Sequence, residues 1–238
     1  MAQDRQELRD FLLRACHDLR APLRAVRANT ELLLKAPEKR QGPEFEQILG
    51  FIATGATKAD SLVDGLSNYA LALSVQPNRL PVSTSVLLRS VLLKMEAEIR
   101  GSNAEITHDD LPRLTADPDR LMQLFENLLR NAIQQRGDAA PRIHISASKR
   151  GREWIFAVRD NGSGIEAEDL ERIFRPFERL RRERGGAGLG LTVCREIVAG
   201  HGGRIWVESV VGDGTTVYFT VEIVTGSKQE LGAALPAG

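Results

Sequence analysis

From Leu8 onward the apolar residues recur at helical spacing, at Leu8, Phe11, Leu12, Ala15, Leu19, Leu23, Val26 and Leu33, which predicts one long helix. Pro37, Gly42 and Pro43 interrupt that pattern between residues 35 and 43. A second run keeps a seven-residue repeat at Phe45, Ile52, Ala59, Leu66 and Leu73, partnered by Ile48, Leu62 and Tyr69. Each run suits a helix of roughly 30 residues, about 45 Å long at ~1.5 Å per residue. A sustained heptad asks for a packing seam along its whole length. Two such helices in a hairpin bury only part of their apolar faces, so a homodimer that closes a four-helix bundle is expected. The alternative is an antiparallel hairpin docked on its own C-terminal domain.

After Gln76-Pro77-Asn78 the pattern changes. Residues 83–100 predict an amphipathic helix and 104–108 a short strand. Asp117-Pro118 is a helix start, with Asp as N-cap and Pro at the first helical position, for a helix running to about Gln135. Strands are expected at 142–148 and 154–160, a short helix at 169–173 and a longer one at 190–199. A hairpin of 204–209 and 215–223 turns at Gly212-Asp213-Gly214. The expected architecture is an all-α helical hairpin over residues 1–76, then an α+β sandwich over 77–226 and a disordered tail over 227–238.

Charge narrows the function. Lys plus Arg and Asp plus Glu each number 32, so the net charge is zero and a binder of nucleic acid driven by phosphate attraction is disfavoured. Cys16 and Cys194 lie far apart in no spacing motif, which argues against a disulfide framework or a zinc site and fits a reducing, cytoplasmic setting. No apolar run reaches the ~20 residues of a membrane span. The chain enters helix almost at once, which points to an upstream region missing from this sequence.

Three short stretches carry chemistry: NLLRN at 127–131, DNGSG at 160–164 and GGAGLG at 185–190. Asn127 and Asn131 lie four apart on one helix and share a face. Amide oxygens are hard neutral ligands, suited to a magnesium ion that also holds triphosphate oxygens. Asp160 closes a strand and offers an acceptor to an exocyclic amine such as adenine's, and its neighbouring glycines let the backbone approach a flat ligand. GGAGLG precedes a helix, so its loop and the helix N–H groups can cradle phosphate. Singly each is weak, because glycine-rich turns and helical Asn pairs are common; their order and spacing together are specific.

Taken together these stretches resemble the catalytic domain of sensor histidine kinases, within the wider ATPase superfamily of gyrase, the Hsp90 chaperones and MutL. NLLRNA is similar to that family's N box, DNGSGI to its G1 box, FRPFER to its F box and GAGLGLTV to its G2 box. The resemblance spans roughly residues 10–225 and is nearest in character to kinases attached to phytochrome-like photoreceptors. It implies that Asn127 binds Mg2+, that Asn131 contacts the phosphates of ATP, and that Asp160 reads adenine. Gly162 and Gly164 shape the nucleotide pocket, and Phe177 borders a lid. Gly186, Gly188, Leu189 and Gly190 belong to the phosphate-receiving hinge, while Arg179 reaches toward the terminal phosphate. The lid's other arginines, Arg181, Arg182 and Arg184, suit a polyanion beneath it, although interleaved Glu178 and Glu183 also fit a solvated loop.

HDLRAPL at 17–23 is similar to the family's H box, which makes His17 the phosphoacceptor and Asp18 its acid–base partner. His17 stands two residues from Ala15 and from Leu19 on the packing seam, so it faces away from that seam. Imidazole is substantially neutral near pH 7, so an exposed histidine can act as a nucleophile. Pro22 gives no N–H to the carbonyl of Asp18, and the bend expected there would help His17 and Asp18 converge. By resemblance, ATP-hydrolysing members place a glutamate where this chain has Asn127, which cannot act as a general base; Glu126 points elsewhere. Ala21 replaces the polar residue that serves dephosphorylation in relatives. Gln134 stands for a lysine that holds phosphate, and Ala187 for a small hydroxyl residue. The resemblance therefore implies a histidine kinase that passes phosphate to an aspartate of a response regulator receiver domain. The regulator is expected to dock near Arg20, Leu23, Arg24 and Arg27, a stretch that also suits a solvated helix face. A kinase-silent dimeric nucleotide-binding scaffold is the alternative, and an ATPase without protein acceptor is disfavoured by Asn127.

Overall fold

A computed structural model describes residues 2–35, 42–74, 76–137, 139–178 and 188–223. Helix α1 spans Ala2–Lys35 and α2 spans Pro43–Ser74, and the two pack against each other as an antiparallel hairpin. Ala15, Ala59 and Leu62 are buried between them, whereas Leu23 and Leu73, from the apolar repeat, remain exposed on this chain alone. The helices approach closely at Gly55, where a side chain would meet Val26 Cγ2 at 2.8 Å and the Pro22 carbonyl at 3.2 Å. Helix α1 continues unbroken through the buried Pro22. Among the described residues no helix is long and apolar enough to cross a membrane.

The rest of the chain is an α/β sandwich. Strand β1 (Leu80–Ser83) leads into α3 (Thr84–Lys94) and α4 (Glu96–Ser102), followed by β2 (Glu105–His108), β3 (Arg113–Ala116) and α5 (Pro118–Gln134). Strands β4 (Arg142–Arg150) and β5 (Glu153–Asp160) come next, then two single 3-10 turns, α6 (Gly190–Gly200), β6 (Ile205–Val210) and β7 (Gly214–Glu222). The main sheet has the order β2-β4-β5-β7-β6, with only β2 and β4 parallel. Its inner face meets α3, α5 and α6. At the centre Phe156 and Phe219, paired across β5 and β7, stack at 4.9 Å, and Phe125 of α5 meets both edge-on. Each fully buried aromatic of this kind contributes about 1.5–3 kcal/mol over leaving it exposed.

Two local expectations are revised, and two short strands were not foreseen. The helix expected over 83–100 is two, divided at Met95, whose buried side chain joins the core. The 169–173 helix is replaced by 3-10 turns at Ala167–Asp169 and Arg172–Phe174. Strands β1 and β3 carry no alternating signature, since Pro81 and Arg113 break it, and they pair only with each other. The tail at 227–238 lies outside the described residues.

The hairpin rests on the sandwich through α2 and α6 and through a buried polar network around Asp117. As N-cap, the Asp117 carboxylate accepts from Arg120 N–H at 3.1 Å and from Asn78 N–H at 2.8 Å. The Arg120 guanidinium donates to the carbonyls of Leu71 and Ala72 at the end of α2, at 3.3 and 3.4 Å. His201, only 1% exposed, accepts from Asp117 N–H through Nε2 at 3.0 Å and donates from Nδ1 to the Ile197 carbonyl at 2.8 Å. Both ring nitrogens are thus committed to the neutral form. Burial, the largest influence, pushes the His201 pKa below its ordinary value of 6.5.

A histidine with a lowered folded pKa costs stability in acid: just below 6.5 the unfolded chain takes up a proton that the folded chain refuses. Urea denaturation at about pH 7.5 and about pH 5.5 should show stability falling on the acid side, by up to about 1.4 kcal/mol per pH unit from this residue. His201→Gln should be less stable at neutral pH and should flatten that acid limb. An equally steep limb in the variant would mean that other groups set it.

Candidate nucleotide site

A cavity of about 590 Å³ opens where the C-terminal end of α5, the end of β5 and the start of α6 converge. Helix α5 begins at the Asp117 cap and buries Leu121, Leu124, Phe125, Leu128 and Leu129. That packing turns Asn127 and Asn131 together onto the cavity wall, with Gln134 beyond them. Across the floor, Gly190 opens α6 so close to Asn127 that an added Cβ would stand 3.9 Å from the Asn127 Oδ1 atom. Gly190 thus places the start of α6 beside that amide oxygen. The N-cap of α6, Leu189, makes no side-chain capping bond. Gly190 and Leu191 of the first turn line the cavity, which sets the N-terminal end of the helix, the end that favours an anion, at its wall.

At the other end Asp160 is only 8% exposed. Desolvation raises its pKa above the ordinary carboxylate value, opposed by N–H donation from Gly162 at 2.8 Å and from Thr215 at 3.2 Å. Those bonds occupy one carboxylate oxygen, Oδ1. The other can accept from a ligand amine on the cavity side. Gly164 has φ +71°, and a side chain there would collide with the Val210 carbonyl, so this stretch of the pocket needs glycine.

Several expected site residues meet here: Asn127, Asn131, Asp160, Gly164, Gly188, Leu189 and Gly190 all line the one cavity. Gly162 sits behind it, fixing Asp160. Phe177 does not line the cavity. Its ring packs on Phe11 of α1 at 5.2 Å, which in turn meets Tyr69 of α2 at 4.9 Å, and its backbone takes φ +63° while its N–H donates to the Gly188 carbonyl at 2.9 Å. A positive φ at a phenylalanine costs about 1 kcal/mol or more, held here by that bond and the ring contacts. Arg179, Arg181, Arg182, Glu183, Arg184, Gly186 and Ala187 lie outside the described residues.

Glu126 is turned away from the cavity by an ion pair to Lys94 at 2.7 Å, so no carboxylate of α5 approaches the phosphate end. His17 and Asp18 are not among the cavity's lining residues. On the outer surface of α1, the His17 side chain is 78% exposed and its Nδ1 lies 3.0 Å from Asp18 Oδ1. Sequence spacing gave no sign of the other cavity wall: Ser61, Asp64, Gly65 and Asn68 of α2. A polar i, i+3, i+4, i+7 stripe is the only signal that marks them.

Residues 116–225 match the family described as histidine kinase-, DNA gyrase B-, and HSP90-like ATPase. Cyanobacterial phytochrome A of Nostoc sp. (strain PCC 7120) is 38% identical over 91% of this chain, which spans 29% of the relative's length. The solved catalytic domain of the histidine kinase ThkA is 30% identical with TM-score 0.54, covering 61% of this chain and 95% of that one. ThkA solved in complex with the response regulator protein TrrA has the same fold over 93% of this chain and 63% of that one, with TM-score 0.74 and 23% identity. The chain belongs to the histidine kinase family, as the transmitter module of a sensor kinase.

Proposed function

We propose that this chain is an ATP-dependent protein histidine kinase that phosphorylates His17 and passes the phosphoryl group to a receiver-domain aspartate of a response regulator. The convergence of Asn127, Asn131, Asp160, Gly164, Gly188 and Gly190 on one cavity carries this reading. Asp160 accepts from the adenine amine. Asn131 and the N–H groups of Gly188 and Gly190 take the phosphates. The Asn127 amide oxygen, a hard neutral ligand on the cavity wall, fits a magnesium ion, which supplies charge neutralisation on the phosphates when bound.

Asp18 receives Nδ1–H of His17, which leaves the Nε2 lone pair as the nucleophile. The Nε2–phosphorus bond forms as the bond from phosphorus to the departing ADP oxygen breaks, and Asp18 stabilises or accepts the proton at Nδ1. With Asn127 in the general-base position and Glu126 paired to Lys94, water has no activating carboxylate on α5. The exposed Leu13, Leu32, Leu34, Phe51, Val63 and Leu73 of the hairpin support a homodimer in which a second copy closes a four-helix bundle. Arg20, Leu23, Arg24 and Arg27, all exposed one to three turns past His17, support a receiver docking face there. The reading places residues 1–76 as the dimerisation and phosphotransfer domain, 77–226 as the ATP-binding domain and the whole in the cytoplasm.

Incubation with Mg-ATP labelled on the terminal phosphate tests the proposal. Acid-labile label on the protein, lost in His17→Ala and reduced at least ~100-fold in Asn127→Ala, is the expected result. Nucleotide binding without label would instead establish a kinase-silent scaffold, to which Gln134 on the cavity wall lends weight. Steady release of free phosphate would establish an ATPase.

Ala21, exposed one turn beyond His17, offers no group to orient water. Dephosphorylation of a receiver domain labelled by this kinase should be slow, and Ala21→Thr should raise its rate. A high rate with Ala21 in place overturns this expectation.

A further inference from the structure

The cavity is not built from the sandwich alone. Ser61, Asp64, Gly65 and Asn68 of α2 form one of its walls, spaced so that all four lie on one helical face. Their position along the cavity follows from α6. Its C-terminal Gly200 stands beside Pro77, just beyond α2, while its N-terminal Gly190 shares the cavity with the four α2 residues. Helix α6 therefore runs alongside α2 in the same direction and brings its N-terminal end, the phosphate end of the cavity, up to Asp64 and Asn68.

Three carboxylates line the cavity: Asp64, Asp160 and Glu178. Asp160 is bound by the N–H groups of Gly162 and Thr215 at the opposite end. Glu178 is paired with Arg172 at 3.3 Å. Asp64 has no hydrogen-bond or ion-pair partner among the described residues, and neither does the Asn68 side chain. An unpaired carboxylate beside a polyphosphate has opposite effects on two forms of the ligand. It repels the bare nucleotide by like charge, and it attracts the magnesium complex, whose cation keeps several waters that a carboxylate can accept from.

We infer that Asp64 and Asn68 of α2 belong to the Mg-ATP site when the hairpin is docked on the sandwich, Asp64 selecting the magnesium complex through its carboxylate and Asn68 donating to phosphate oxygens. This rests on the cavity being the nucleotide site. It makes the dimerisation helix a direct partner of the nucleotide, so that loading with Mg-ATP strengthens docking of the two units and undocking weakens nucleotide binding by the same factor.

Equilibrium binding of a fluorescent trinitrophenyl-ATP to the full chain, with saturating Mg2+ and with EDTA, tests the inference. Asp64→Asn, isosteric and on an exposed helix face, should weaken binding in Mg2+ by roughly 3- to 10-fold and tighten it in EDTA. Asn68→Ala should weaken binding under both conditions. Asn127→Ala is the control for the site itself. If Asn127→Ala weakens binding in Mg2+ while Asp64→Asn changes neither condition, or shifts both alike, the inference is overturned and the nucleotide site stands. If Asn127→Ala has no effect, the site reading fails and the inference falls with it.

Discussion

The arrangement of this chain depends on the carboxylate of Asp117. By capping α5 it sets the helix's starting register, and ten residues later that register decides that Asn127 faces the cavity and Glu126 faces Lys94. The same carboxylate holds Asn78 in the connector, and its neighbour Arg120 takes the otherwise unsatisfied carbonyls of Leu71 and Ala72 at the end of α2. Helix start, connector and helix end are thus referenced to one buried group. His201 completes it from the C-terminal end of α6. A cap worth about 1 kcal/mol in isolation therefore carries more than its own helix, because the placement of both cavity walls follows from it.

Much of this was legible in the sequence, for identifiable reasons. Long elements with strong periodicity, such as α1, α2 and α5, declare themselves, and Asp117-Pro118 marks a helix start within one residue. The N, G1 and G2 stretches were legible because each combines an unusual residue with a fixed backbone requirement. Gly164, for one, is forced by a left-handed φ and the Val210 carbonyl. What stayed hidden depends on contacts between elements distant in sequence. Strands β1 and β3 exist because they pair with each other, not because either alternates. Phe177 reads as part of a nucleotide motif, yet its ring serves the junction with Phe11 and Tyr69. The polar stripe of α2 resembles any solvated helix face until α6 is laid beside it.

The hairpin also refines the meaning of exposure. His17 and Asp18 meet at 3.0 Å although adjacent side chains on a helix ordinarily diverge. Helix α1 keeps its helical course through Pro22, and the pair needs no break in the helix to close. On the proposed reading, Asp18 accepts from Nδ1–H and leaves Nε2 of His17 free, an arrangement supplied within the chain itself.

The position of His17 bears on the transfer step. On the proposed function, with Mg-ATP in the cavity and His17 as acceptor, donor and acceptor do not meet in this arrangement, because His17 lies on neither wall. In-line transfer needs the attacking nitrogen within about 3–3.5 Å of phosphorus. On that proposal the sandwich leaves the α2 stripe and travels to its own His17, or a second copy presents its histidine as the stripe is vacated. Either route breaks the packing of α6 on α2, the Phe11–Phe177 contact and the Arg120 bonds to the end of α2. These contacts lie outside the Phe125–Phe156–Phe219 cluster at the centre of the sandwich. On the proposed function, the sandwich would hold the nucleotide while the α2 face serves as a docking surface, so that a shift of the docking equilibrium would control transfer.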